Sequence, residues 1–307
     1  MLKKFFKYLF HKLGLQINRI SREKSQSNNL VLKQVGKFKI LMNETHALPG
    51  YLKQFPHYSS NLPRLASKVK EKYQDLILID VGANIGDTVA LIRSVSYFPI
   101  VCIEGDNFYF NIFKKNIEQF DEVYAYQFFL GEHDKIISGK KESVKGTLKI
   151  VPNSLKCSKD DLQIITLDNF LNTNSKFRSA KLLKIDTDGF DLMIIRGSKD
   201  YLTKTKPILF FEYDKQLLED VNENGISTLN LLKDMGYETA VFYDNFGRLL
   251  LSTELENEPL IQQLHDYTKH KKSAFSYYDI CLFHQQDKQL AAEFIKEEMI
   301  FFKAVDY

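Results

Sequence analysis

From residue 76 onward, apolar positions alternate between short continuous runs and longer amphipathic stretches. LILID (76–80), PIVCIE (99–104), VYAYQFF (123–129), KLLKID (181–186) and PILFFEYD (207–214) are rich in β-branched and aromatic residues, which predicts strands buried on both faces. Between them, 87–95, 107–119 and FDLMIIRGSKDYL (190–202) carry apolar residues at helical spacing. ISTLNLLKDMGY (226–237) reads as a further helix, ETAVFYD (238–244) and SYYDICLFH (276–284) as strands, and QLAAEFIKEEMIFF (289–302) as a terminal helix. Alternating strands and helices imply an α/β fold, doubly wound, with seven mainly parallel strands. The last two strands lack a convincing helix between them, which predicts a final hairpin and an antiparallel last strand.

Before this rhythm the pattern is less regular. Residues 30–43 alternate around a glycine and predict a hairpin. Residues 44–63 hold Pro49, Gly50, Pro56 and Pro63, with His46, His57 and Tyr58, and read as a loop bearing functional side chains. Residues 64–74 read as a helix, and 134–166 as short strands and turns.

A chain of 307 residues, 44% apolar and 26% charged, has room for a large core. No apolar run reaches the 18 residues of a spanning helix. Cys102, Cys157 and Cys281 lack zinc-ligand spacing, and a reducing cytoplasm is the expected compartment. The net charge of +3 hides an asymmetry. Residues 1–25 carry Lys3, Lys4, Lys7, Lys12, Arg19, Arg22 and Lys24 against Glu23 alone, so the remainder is mildly acidic. A mildly acidic body does not suit a nucleic-acid reader. Leu2, Phe5, Phe6, Leu9 and Leu13 share a helical face, and Lys3, Lys4 and Lys7 lie opposite. Such a segment either lies on an anionic membrane surface, here the inner face, or packs on the protein's own body.

The chemistry gathers at three strand ends. In DVGANIGDT (80–88), Gly82 starts a turn into a helix. A dinucleotide turn needs a second glycine where this chain has Asn84, whose side chain would crowd a pyrophosphate. No Gly-Lys-Ser or Gly-Lys-Thr follows, so a phosphate loop is also excluded. Glu104 ends the next strand, where a carboxylate can accept both hydroxyls of a ribose. Asp186 ends KLLKID and stands where it could orient a hydroxyl or take its proton, whereas Asp188 reads as a cap for the following helix.

DVGANIGDT (80–88), IEGDNFYFNIFKKNI (103–117), ITLDNFL (165–171), LLKIDTDGFDLMIIRGS (182–198) and ILFFEYD (208–214) together resemble the FkbM family of S-adenosylmethionine-dependent methyltransferases. The resemblance implies a class I methyltransferase fold, with the KLLKID strand beside LILID. It places Asp80, Gly82, Ala83, Asn84 and Gly86 at the methionine end of S-adenosylmethionine, Glu104 at its ribose, and Asp106 and Phe129 to Gly131 near its adenine. It departs from the family's usual Glu-Pro at Glu104-Gly105, and from D-x-E-G-x-E at Asp186 to Asp191, which reads D-T-D-G-F-D.

The implied reaction is methyl transfer to a hydroxyl of a sugar, a polysaccharide, a lipid-linked glycan or a related natural product. Asp186 is the candidate catalytic residue and His57 the second. Tyr58, Glu212 and Asp214 are candidates for the acceptor side, and Tyr51 and Phe55 could stack on a sugar. A divalent metal held by Asp186, Glu212 and Asp214 is the disfavoured addition. The competing readings are a nicotinamide-dependent oxidoreductase and an inactive binding module of the same fold. The expected organisation is a basic segment at 1–25, a substrate or lid region at 26–70, a methyltransferase core at 71–285 and a C-terminal helix at 286–307.

Overall fold

The computed structural model of the chain describes residues 29–144, 147–152, 161–268 and 275–305, with side chains described outside 137–161. The basic amphipathic segment and Cys157 lie outside the described residues. The chain opens with the expected hairpin, β1 (Leu30–Val35) and β2 (Phe38–Asn43). The segment read as a loop instead holds a helix, α1 (Leu48–Gln54), and the start of α2 (Asn61–Lys72). Pro49 and Pro63 stand in the opening turns of these helices, where their lack of an N–H costs nothing.

The strand–helix rhythm follows as predicted, through β3 (Leu78–Val81), α3 (Asp87–Arg93), β4 (Ile100–Ile103), α4 (Asn107–Ile117) and β5 (Val123–Tyr126). VYAYQFF is not one strand. Its end, β6 (Phe129–Leu130), leaves the main sheet and pairs with β9 (Asp161–Ile165) beside the hairpin of β7 (Lys135–Val144) and β8 (Thr147–Pro152). Then come α5 (Leu167–Thr173) and β10 (Leu182–Ile185).

FDLMIIRGSKDYL divides into α6 (Asp191–Arg196) and α7 (Lys199–Thr205). The second helix begins afresh because Asp168, from ITLDNFL, accepts from the N–H groups of Asp200 and Tyr201, each at 2.9 Å. After β11 (Ile208–Tyr213) come α8 (Lys215–Asp220) and α9 (Gly225–Asp234). The chain continues through β12 (Tyr237–Asp244), β13 (Leu249–Glu254), α10 (Glu258–Tyr267), β14 (Tyr278–His284) and α11 (Lys288–Val305).

The main sheet runs β13-β12-β14-β11-β10-β3-β4-β5. It has eight strands rather than seven, because β13 adds an edge that its half-exposed, alternating pattern had concealed. β14 is antiparallel to both β11 and β12. The two lie side by side as expected, yet β12 and β14 are not a hairpin, since β13 and α10 intervene. β10 pairs in parallel with β3, and β3 with β4, so the ends carrying Asp80, Glu104 and Asp186 share one edge.

Two apolar clusters cover the faces of this sheet, and a third joins the N-terminal hairpin to α3 and α4 through Val35, Ile40, Met42, Ile85, Ala90 and Ile112. Buried Asn116 fastens that hairpin. Its amide accepts from Leu41 N–H at 2.6 Å and donates to the carbonyls of Leu41 and Ile85, each at 2.8 Å. At the opposite end α11 is fixed to α2 by Glu298, whose side chain is 1% exposed. It receives two hydrogen bonds from Arg64, at 2.5 and 2.7 Å, and one from the Tyr243 hydroxyl at 2.9 Å. Glu298→Ala removes the carboxylate partner of the half-buried Arg64 guanidinium and of the Tyr243 hydroxyl, and should lower stability by about 1.5–3 kcal/mol in urea unfolding. A change below about 1 kcal/mol would show that the cluster does not hold α11.

Candidate active site

The glycine turn and the strand beside it are pressed together. Gly82 has φ +78°, and a Cβ there would stand 1.8 Å from the Asp186 carbonyl oxygen, so only glycine fits. The turn's amides are largely used within the protein. Gly82 and Ala83 donate to the Ile103 carbonyl, and Gly86 to that of Ala83. Asn84 N–H donates to Glu104 Oε2 at 2.9 Å, and Asp106 N–H to Oε1 at 2.7 Å. These bonds fix the Glu104 carboxylate, and a carboxylate has capacity for two further donors. Burial pushes the Glu104 pKa up, against the pull of its two N–H donors.

Two cavities open at this edge, and both are lined by Asp186 and Asp188. The first is also lined by Gly82, Asn84, Glu104, Asp106, Phe128 and Phe129. The Phe129 ring fills the space beside Gly105, where a Cβ would come within 2.3 Å of it. The glycine that departs from the family's Glu-Pro is therefore what admits this ring. Asp106 also caps α4, accepting from Phe108 and Tyr109 N–H at 2.8 and 3.1 Å. Four residues expected at the cofactor line neither cavity, Gly131 among them. Asp80 and Ala83 are buried beneath the turn, and Gly86 packs against Phe113.

The second cavity brings together Tyr58, Asp87, Glu212, Asp214, Tyr277 and Asp279. Tyr58, Glu212 and Asp214 were expected there from sequence. The Asp214 carboxylate also caps α8, accepting from Gln216 and Leu217 N–H at 2.8 and 3.2 Å. The His57 ring points elsewhere. It packs edge-on against Phe301 and Phe302 of α11, with centroids 5.3 and 6.1 Å away, and lines neither cavity. The catalytic role expected for His57 is therefore withdrawn, and the neighbouring Tyr58 is the residue that faces the cleft.

Asp188 was expected to cap the following helix. The helix has no side-chain cap, and Asp191 Oδ2 instead braces the turn before it, accepting from Thr187 Oγ1 at 3.0 Å and from the Thr187 and Gly189 N–H groups at 3.3 Å. Asp188, at φ +52°, turns the chain between the two cavities. The shorter Asp191 thus fills the place of the family's usual glutamate by holding the turn.

Sequence reading missed Lys184, Tyr277 and Asp279. Lys184 carried a signal, since a cation in an apolar, doubly buried strand requires a partner. Tyr277 and Asp279 carried none. They reach the site because β14 runs antiparallel and so begins where β11 ends, with Asp279 opposite Glu212. Among the described residues, no group of three or more His, Cys, Asp or Glu side chains is placed to hold a metal ion.

The family model of the methyltransferase FkbM domain matches residues 80–239, more than half of the chain. The chain belongs to the FkbM methyltransferase family. Its sheet is the class I methyltransferase sheet extended by β13. No curated protein matches the chain. Solved structures with a similar fold include a methyltransferase FkbM from Methylobacillus flagellatus KT, at 12% identity and TM-score 0.36, covering 64% of this chain and 55% of that one. A precorrin-6y C5,15-methyltransferase from Geobacter metallireducens GS-15 aligns at 14% identity and TM-score 0.35, over 69% of this chain and 80% of that one. TYW2 of P. horikoshii, in complex with MeSAdo, aligns at 11% identity and TM-score 0.37, over 91% and 82%. Likenesses this distant say nothing about the acceptor. No helix among the described residues is long and apolar enough to cross a membrane.

The acidic edge carries a cost that depends on pH. Burial and the Asp186 charge push Asp191 and Asp279 each up to about 7. An unfolded aspartate titrates near 4, so between about 4 and 7 the folded protein holds more protons than the unfolded chain. That contribution to stability is full below pH 4 and is lost as the pH rises through 7. The contribution should appear as a fall in melting temperature of a few degrees from pH 5 to pH 7.5, reduced in Asp279→Asn. An unchanged slope in that variant would show that Asp279 ionises normally.

Proposed function

We propose that this FkbM-family methyltransferase uses S-adenosylmethionine to methylate a hydroxyl of a sugar or glycan. The observation that carries the reading is the meeting of two unlike cavities at Asp186. One is apolar and aromatic, with an oriented carboxylate at Glu104, and suits an adenosine. The other is walled by carboxylates and tyrosine hydroxyls, which suit a polyol.

The residues of the first cavity fit the cofactor's parts. Glu104, with two lone-pair directions left, would accept the ribose hydroxyls, and Phe128 and Phe129 would flank the base. S-adenosylmethionine, when bound, supplies an electrophilic methyl on a positively charged sulfur that leaves as a neutral thioether. The work left to the protein is alignment and removal of one proton. Asp186, on the boundary of the cavities, would hold the acceptor hydroxyl and accept that proton as the oxygen–methyl bond forms. Tyr58 and Tyr277 would orient the sugar against it. The basic segment at 1–25 would bring the domain to anionic lipid at the inner membrane face, so a lipid-linked glycan is the acceptor form we favour.

Calorimetry with S-adenosylhomocysteine should show uptake by the wild type and at least tenfold weaker binding by Glu104→Ala. Asp186→Asn should keep that uptake while losing transfer. Absence of uptake by the wild type would overturn the cofactor assignment. The acceptor is tested by mass spectrometry of cell-surface glycans with and without the gene, where deletion should remove one CH2 from a glycan species. Unchanged glycans would overturn the acceptor class.

A further inference from the structure

Lys184 is the one charged residue of β10, and its side chain is 6% exposed. Its register partner on β3 is Asp80, so the two side chains leave the sheet on the same face. Lys184 Nζ lies 3.1 Å from Asp80 Oδ1, 3.1 Å from the Gly82 carbonyl and 3.4 Å from Asp186 Oδ2. The Asp80 carboxylate is fully buried, and this ammonium is its only ion-pair partner among the described residues. Asp87, at the start of α3, acts on the same ammonium from the acceptor side. One cation thus ties together the floor of the glycine turn, the turn's own carbonyl and the carboxylate at which the two cavities meet.

We propose that Lys184 is a positioning residue for methyl transfer: it locks Asp186 to the glycine turn and sets the charge that a cationic cofactor meets at the transfer point. The proposal rests on the reading that this site takes S-adenosylmethionine. The sulfur of that cofactor is positive before transfer and neutral after it. Excess negative charge would bind the charged ground state more tightly than a transition state in which that charge is fading, and so would slow the reaction. Lys184 offsets one of the carboxylates beneath the turn. Of these carboxylates, Asp186 faces the cavities and Asp80 stays beneath them.

A role in charge predicts what a purely structural role does not, a change in preference between a cationic and a neutral ligand. The measurement is calorimetric binding of S-adenosylmethionine and of S-adenosylhomocysteine to four proteins, at one pH and ionic strength. Lys184→Met adds one net negative charge and should raise the preference for the cationic ligand by about tenfold. Asp186→Asn removes one and should lower it. Lys184→Met combined with Asp80→Asn removes a charge of each sign and should return the preference to within about twofold of wild type. Replacing both members of a buried pair is often well tolerated, so the double variant carries the test if Lys184→Met does not fold. Equal weakening of both ligands in Lys184→Met, or a double variant whose preference departs from wild type as far as tenfold, would overturn the proposal. A wild type that binds neither ligand would instead overturn the cofactor assignment beneath it.

Discussion

The contact on which the site depends is that of the Gly82 backbone with the carbonyl of Asp186. It exists because β3 and β10 are neighbours in a parallel sheet, and because residue 82 has no side chain. Anything larger would part the two strands at their carboxyl ends. With them together, the turn that begins after β3 and the carboxylate that ends β10 stand side by side. The cofactor cavity forms on one side of that seam and the acidic cavity on the other, so Asp186 belongs to both. This is the switch-point geometry of open α/β sheets, reached by a close backbone approach.

Charge is the second constraint. The edge gathers Asp87, Asp186, Glu212 and Asp279 around one buried ammonium, that of Lys184, which Asp80 and Asp186 already share. Burial, and after it repulsion from Asp186, keep Asp279 and Glu212 protonated to higher pH than free carboxyls. Such an arrangement opposes folding, and the rest of the molecule offsets it. Two apolar faces, the Asn116 clasp and the Glu298 cluster hold the sheet around an edge that would not assemble alone. Clusters of buried carboxylates whose protonation is shifted in this way are characteristic of functional sites.

How far the chain could be read in advance followed the range of each interaction. The central strands were legible because strands buried on both faces form continuous apolar runs. The glycine turn and Glu104 were legible because a βα unit keeps its chemistry within one crossover. β13 was missed because an edge strand is buried on one side only and mixes Leu with Ser, Thr and Glu. Asp168 was quoted as part of a motif, yet its use, capping α7 some thirty residues on, depends on how α5 and α7 meet. His57 looked catalytic beside Tyr58, but two adjacent side chains point different ways, and only packing on α11 chose between them.

By itself, the sequence determined the doubly wound sheet and the three acidic strand ends, because periodicity and local turns encode them, and it set β3 beside β10 only through its resemblance to a known family. The tertiary structure alone decided which groups join Asp186. Lys184 became the hub through its register with Asp80, and Tyr277 and Asp279 entered because an antiparallel strand starts where its neighbour ends. Those pairings join residues about a hundred positions apart in the first case and nearly seventy in the second. No local pattern carries that information, since a strand's apolar face reads the same whichever neighbour it meets.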